Sequence, residues 1–385
     1  MISGRRVAVV GAGAFGSWIA LQAVRAGFET ILVDQDGPAN DLSSSGGSSR
    51  IIRRAYGPDE IYTLLANRSL ELWKAFLSVE NRPDCFRRTG VLWMAKEEEP
   101  SIHEAREIFR RHNIGHQFLN VPQIRTLCRL MNVPTGTVAL FEPDCGALLA
   151  GESVRTVVEA AVRSGARYVK GRAIPIASIA IIKSLELEND RPIEADVFVF
   201  ACGSWLPKLF PETLGRVIFP TRQEVFYFAS DVHWASSDGA SLPIWVDQTD
   251  LRVPYGFPDI DGAGIKVAFH RTGPRFDPDS GGREVTREQI AEAADYLRLR
   301  FPSMGTPTFM SAQVCHYENT SSGDLLIDRH PSLRNVWFAG GGSGHGFKHA
   351  PAVAEYLLDA IQRDSSEEPR FRLDGKGKGL AKRVV

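Results

Sequence analysis

Residues 5 to 34, RRVAVVGAGAFGSWIALQAVRAGFETILVD, constrain the fold more than any other stretch of the chain. Val7 to Val10 form a short β-branched run, and Ile19, Ala20, Ala23 and Val24 recur at helical spacing. Thr30 to Val33 then supply a second strand. Between the first strand and the helix, Gly11, Gly13 and Gly16 make a G-x-G-x-x-G pattern. Each glycine has a mechanical reason: one for the turn, one for close approach of backbone to a pyrophosphate, one for packing the helix onto the strand. Asp34 closes the second strand 23 residues after Gly11 (34 − 11 = 23). A carboxylate there accepts hydrogen bonds from a ribose diol and repels a phosphorylated ribose. The pattern therefore predicts a dinucleotide site rather than a plain glycine turn, but it does not separate NAD from FAD.

The remainder bounds the class. The 385 residues, 43% hydrophobic and 24% charged, contain enough apolar material for two domains. A formal net charge of −1 offers no broad basic field, so a nucleic-acid partner is not expected. Cys85, Cys128, Cys145, Cys202 and Cys315 show no C-x-x-C spacing, which argues against a disulfide framework or a zinc site and for a reducing compartment. The N-terminus runs straight into a strand, and no run of about 18 apolar residues is present to span a bilayer. The terminal KRVV is not a peroxisomal address, and the basic KGKGLAKR (376 to 383) reads as a solvated tail. A soluble cytoplasmic protein without a membrane partner is expected.

Periodicity then organises the chain. DEIYTLLANRSLELWKAFLSV (59 to 79) reads as an amphipathic helix with Ile61, Leu64, Leu65, Leu72, Phe76 and Leu77 on its buried side. SVRTVVEAAVRSGARYVKGRAI gives helix, glycine stop and strand; IPIASIAIIKSLELE reads as antiparallel strands; ADVFVFACGSW is a buried strand ending in a glycine loop. Between 217 and 318 short strands and Pro/Gly turns predict a mostly antiparallel sheet with one helix near 286 to 300. NVWFAGGGSGHGFKHAPAVAEYLLDAI returns to strand, glycine-rich loop and helix. The fold class is α/β, with a discontinuous Rossmann-type domain (1–85, 146–216 and 319–385) and a substrate domain (86–145 and 217–318). Interleaving of this kind points to FAD rather than NAD.

Several reactive side chains sit in glycine-rich or strand contexts. SSSGGSSRIIRRAYG (43 to 57) carries Arg50, Arg53 and Arg54, and an extended segment would put Arg50 and Arg54 on one side and Arg53 on the other. A solvated basic cluster is the competing reading. Lys348 follows the glycine run of GSGHGFKHA. Lys266 and His270, four apart in GIKVAFH, share a strand face, where the lysine either snorkels to solvent or presents a cation to a developing anion. Cys315, in QVCHYENTSSGDLLID, is a lone thiol that could fill space, hold a metal or be bonded to something.

Taken in order, GAGAFGS, SRIIRRAYG, YGFPD, IKVAFH, VCHYENTSSGDLLID and GGSGHGFK resemble the monomeric sarcosine oxidase family almost end to end. That family includes N-methyltryptophan oxidase, pipecolate oxidase and the fructosyl amino acid oxidases. The resemblance implies FAD joined by a thioether at Cys315, with the other cysteines structural. It implies cofactor contacts at Gly11, Gly13, Phe15, Gly16, Asp34, Ser49, Arg50, Ile174, Gly203, Gly342, Gly344, Gly346 and Lys348. It further implies that Arg53 and Lys348 clamp a substrate carboxylate and that Arg50 lies against the flavin. Lys266 would assist O2, and His270, Tyr255 and Tyr317 would line the amine pocket. The implied activity is oxidation of a secondary amine or N-substituted amino acid to an imine with release of H2O2, by a monomer or weak oligomer. A flavin dehydrogenase using another electron carrier and a non-catalytic flavin-bearing module are the alternatives. Departures are Gly46 and Arg54, where relatives carry histidine, together with His316 and His349. The extra arginine and histidines suggest either a substrate with a second acidic group or a supporting role behind the pocket.

Overall fold

A computed structural model of the chain describes residues 4–175, 180–229 and 242–376. The first sheet has six strands in the order Leu326–Arg329, Val336–Gly340, Val197–Phe200, Arg6–Val10, Glu29–Asp34, Arg167–Lys170. All neighbours are parallel except the first pair. Both faces are covered, which is why its strands read as nearly unbroken apolar runs. Val7, Val9, Leu32 and Val199 pack under the helices Ala14–Arg25, Ala150–Arg163 and Ala350–Arg363. Ala8, Val10, Val33 and Phe200 pack on the opposite side with Leu206 and Phe338.

The glycine signature sits at the carboxyl end of the first strand. Gly11 has φ +101°, and a Cβ there would lie 2.5 Å from the Ala201 carbonyl oxygen. Gly16 is required for a different reason: its Cβ would fall 1.7 Å from the Gly11 carbonyl oxygen, so helix and turn can meet only without a side chain.

The second sheet has eight strands in the order Thr308–Thr320, Ile218–Ala229, Ile265–Phe269, Pro254–Phe257, Ile244–Asp247, Val91–Lys96, Thr137–Glu142, Gln117–Asn120. Its neighbours are antiparallel save for Ile244–Asp247 beside Val91–Lys96. Leu92, Phe226, Phe228, Trp245, Ile265, Val267 and Phe269 bury one face with Ala293, Tyr296 and Leu297 of the helix Arg287–Arg300. Strand alternation then forces Gln223, Val225, Val246 and Lys266 onto the other face. The position of a buried lysine is thus a by-product of three apolar neighbours seeking the core. A third, three-stranded sheet pairs Ser49–Ile52 and Phe86–Arg87 with Gly146–Leu149.

Two expectations need correction here. The helix Glu60–Val79 buries Tyr62, Ala66, Leu70, Trp73, Phe76 and Leu77, whereas Leu64 is exposed. Its inner face is rotated because Trp73 stacks over Phe347 and meets Trp18 edge to face, volume that aliphatic spacing alone does not weigh. Lys376 is buried rather than solvated, its ammonium donating to the carbonyl oxygens of Asp324 (3.3 Å) and Arg370 (2.5 Å). Residues 377–383 of the same basic run, and part of the strands expected in IPIASIAIIKSLELE, lie outside the described residues.

Candidate active site

An elongated cleft of about 1470 Å³, open mouth included, runs along the carboxyl ends of the parallel strands. Gly11, Gly13, Phe15, Asp34, Ile174, Gly203, Gly342, Gly344, Gly346 and Cys315 all line it, with Gly346 close against the Phe15 ring. The glycines Gly11, Gly13, Gly203, Gly342, Gly344 and Gly346 are among the lining residues and leave backbone open to the cleft, as a pyrophosphate requires. Asp34 is held by its surroundings: Oδ2 accepts from the Ala12 amide (2.6 Å), and Oδ1 from those of Gly37 (2.7 Å) and Asp36 (3.0 Å). Burial raises its pKa despite these donors. The remaining lone pairs of the carboxylate face a cleft where a ribose diol can donate to them. Shape, glycine lining and acid all fit FAD. Gly16 lies behind the wall and acts through packing.

A second chamber of about 880 Å³, mouth included, adjoins the cleft, and Arg50, Cys315, Tyr317, Gly344 and Phe347 line both. The structure brings Ser49, Arg50, Arg53, Tyr255, Lys266, His270, Tyr317 and Lys348 together in this chamber, although they come from distant parts of the sequence. No Asp or Glu among the described residues lines it.

Each cation is held differently. Arg50 donates to the carbonyl oxygens of Ser49 (2.9 Å), Ser44 (2.8 Å) and Gly46 (2.7 Å), and Nη2 lies 3.6 Å from the Cys315 sulfur. Arg53 donates to the Ala55 carbonyl oxygen and lies over Tyr56, 4.7 Å from the ring centre. Its Nη2 is buried without a hydrogen-bond acceptor among the described residues. An unpaired guanidinium nitrogen in a cavity free of acids calls for an anion. Lys348 donates to the Tyr56 hydroxyl (2.6 Å) and the His345 carbonyl oxygen (3.0 Å). Burial, reinforced by Arg53, depresses its pKa well below the usual lysine value. Lys266 donates to the Ser49 carbonyl oxygen (2.9 Å) and hydroxyl (3.3 Å), and burial followed by Arg50 lowers its pKa likewise. His270 is pushed down to about 4 by burial, then by Arg53 and Lys348, so it is a neutral imidazole at neutral pH. Tyr255 and Tyr317 are hydrogen-bonded to one another, and burial raises both pKa values.

The expected sidedness of the arginines is wrong. The strand ends at Ile52, so alternation does not continue; Arg50 and Arg53 face the same chamber. Arg54 turns away, its Nε 3.0 Å from Glu142 Oε2, with its Nη2 donating to the Gly115 carbonyl oxygen at 3.0 Å. It does not line the chamber and supplies no group for a second acidic function. His316 lies on the cleft side beside Ser44 and Ser204, and His349 meets the Tyr56 hydroxyl at 2.7 Å.

Sequence reasoning passed over Gln223, Phe257 and Gln313, which line the chamber, and Tyr56, which carries Lys348. Tyr56 stood in the quoted SSSGGSSRIIRRAYG; the two glutamines required the pairing Gln223↔Cys315 and Val225↔Gln313.

Comparison with known proteins agrees with this geometry. Residues 6–360 match the family described as FAD dependent oxidoreductase. Monomeric sarcosine oxidase of Bacillus sp. (strain B-0618) is 33% identical over 356 residues, covering 91% of this chain and 90% of its own. N-methyl-L-tryptophan oxidase of Yersinia pestis (strain Pestoides F) is 27% identical over 352 residues, covering 90% and 92%. Among solved structures, L-proline dehydrogenase from P. horikoshii superimposes with a TM-score of 0.81 at 20% identity, covering 96% of this chain and 97% of that one, which speaks for the fold alone. Cleft, glycine signature and end-to-end similarity together show that the chain belongs to the FAD-dependent oxidoreductases, in the family of the monomeric sarcosine oxidases.

Proposed function

We propose that the protein is an oxidase of N-substituted amino acids that passes electrons to O2. The observation that carries this reading is the acid-free chamber containing Arg53 and Lys348, joined to the nucleotide cleft at Cys315. Relatives named for sarcosine and N-methyl-L-tryptophan support the same substrate class. The six-stranded sheet would carry the cofactor, and the eight-stranded sheet would close over the substrate.

Arg53 and Lys348 take the carboxylate, the former through its unpaired Nη2. Their charge, with no Asp or Glu among the described residues lining the chamber, favours the neutral form of the substrate amine. Tyr255, Tyr317 and neutral His270 bound the volume left for the N-substituent and keep water from the reacting carbon. FAD, when bound, supplies the two-electron acceptor that takes a hydride equivalent from that carbon and delivers the electrons to O2. The amine nitrogen loses its proton, the product is an imine, and O2 leaves as H2O2 after gaining two electrons and two protons. Water then hydrolyses an acyclic imine to a carbonyl compound and a smaller amine. Lys266, buried in the chamber with a lowered pKa, would supply the cation for negative charge developing on oxygen, and such charge would raise that pKa again.

Anaerobic mixing with sarcosine, pipecolate, N-methyltryptophan, iminodiacetate and fructosyl amino acids tests the class: at least one should bleach the flavin, and air should restore the colour with equimolar peroxide. No bleaching by any of them would refute the reading, and bleaching without peroxide would favour a dehydrogenase. Lys266→Met should leave bleaching within a fewfold of normal and slow the return of colour by about 100- to 1000-fold.

We also propose the covalent bond to Cys315, in which the thiol S–H and one C–H of a flavin methyl group would be replaced by an S–C bond, the electron pair passing through the flavin to O2 with release of H2O2. It is supported by a sulfur that lines cleft and chamber alike and receives the Arg50 guanidinium. The denatured protein should exceed the mass of the polypeptide by one flavin. Cys315→Ser should release all its flavin on acid precipitation. A wild-type mass equal to the bare chain would disprove the bond.

A further inference from the structure

Glu318 is a carboxylate inside the cofactor cleft for which the cation-lined chamber has no use. It follows Cys315 by three on the strand Thr308–Thr320, so alternation turns it, with His316, toward the cleft. Oε2 accepts from the Ser44 hydroxyl at 2.9 Å, and Oε1 from the Gly342 amide at 3.3 Å. No lysine or arginine among the described residues is a hydrogen-bond or ion-pair partner of it, and its pKa is raised by burial, opposed by the Ser44 hydroxyl and then by its own and the Gly342 backbone amides.

Neighbouring groups are arranged to leave its free lone pairs open. A Cβ on Gly342 would come 2.7 Å from Oε1, so glycine there keeps the cleft wall clear around the acid, and Gly203 lies against Oε2 on the other side. His316 is fixed by donation from Nε2 to the Leu42 carbonyl oxygen (2.7 Å), which makes Nδ1 an acceptor for the Ser204 hydroxyl at 2.6 Å. The Ser44 hydroxyl is thereby released to donate to Glu318. Two carboxylates thus mark the cleft: Asp34 at the end of the second strand, and Glu318 beside Ser44, Gly203 and Gly342.

A carboxylate without a counter-ion, walled by glycine backbone, is suited to donors that are neutral and numerous. The polyhydroxyl chain of a flavin meets that description; a pyrophosphate does not, because like charges would repel. We propose that Glu318 anchors the flavin half of FAD by accepting hydrogen bonds from its ribityl hydroxyls, as Asp34 serves the adenylate half. The inference rests on the FAD reading and not on the amine substrate or the thioether.

The test uses apoprotein in the Cys315→Ser background, where the cofactor is free to dissociate whatever its native attachment. FAD and ADP are titrated separately by fluorescence, and apoprotein melting is recorded alongside. Glu318→Ala should weaken FAD about 10- to 100-fold and leave ADP within twofold, with Glu318→Gln falling between because its amide oxygen still accepts. Asp34→Asn should weaken both ligands. Equal FAD affinity in Glu318→Ala and its parent would overturn the proposal. So would parallel losses for FAD and ADP accompanied by a lower apoprotein melting temperature, since that pattern marks a structural carboxylate. Failure of FAD to bind the parent would instead refute the cofactor reading.

Discussion

Lys348→Met should lower kcat/KM for an amino acid substrate by about 100- to 1000-fold, because removing one partner of a buried, hydrogen-bonded charge contact costs about 2–5 kcal/mol. The loss should appear largely in KM and in the affinity of unreactive carboxylate analogues. A decarboxylated amine, poor in the parent, should be equally poor in the variant. Burial holds the free Lys348 amine well below its usual pKa, whereas a bound carboxylate raises it. The sign follows: binding takes up a proton, so analogue affinity is greatest below the pKa of the free lysine and declines as pH rises through it. Lys348→Met should flatten that slope. A variant with unaltered kcat/KM, or an analogue affinity that climbs with pH, would remove Lys348 from the carboxylate site.

Glu142→Ala should destabilise the fold by about 3–5 kcal/mol, the cost of leaving a buried partner charge uncompensated. The Glu142 and Arg54 side chains are 1% and 7% exposed, so neither can turn to water without opening the core. Glu142 also accepts from the backbone amides of Arg54 (2.9 Å) and Ala55 (3.1 Å) and from the Cys145 thiol (3.1 Å). The loss would therefore include the bend that aims Arg53 into the chamber. Urea unfolding at saturating FAD measures it, and Glu142→Gln should lose less because a neutral acceptor keeps those donors satisfied. A change below about 1 kcal/mol for the alanine variant would mean that Arg54 finds another partner.

The sequence was most legible where a local rule had one solution. Gly11, Gly16 and Asp34 lie in a single supersecondary unit whose spacing admits little else, and the strand at 265 to 269 announces Lys266 by burying its neighbours. Arg54 was misread because its partner is 88 residues away, and nothing local says that a strand stops at Ile52. The inner face of the helix Glu60–Val79 was misread because Tyr62 and Trp73 belong to the core by volume more than by hydropathy. Glu318 was passed over although it stood in a quoted motif; strand alternation from Cys315 would have placed it in the cleft.

The strand Thr308–Thr320 serves two compartments by parity. Gln313, Cys315 and Tyr317 reach the chamber, while His316 and Glu318 reach the cleft alone. A pleated ribbon used as a party wall has no tolerance for a frame of one: inserting or deleting a single residue before Cys315 would exchange the furniture of the two rooms. Homologues should therefore keep the number of residues along this strand fixed even where the side chains on it differ.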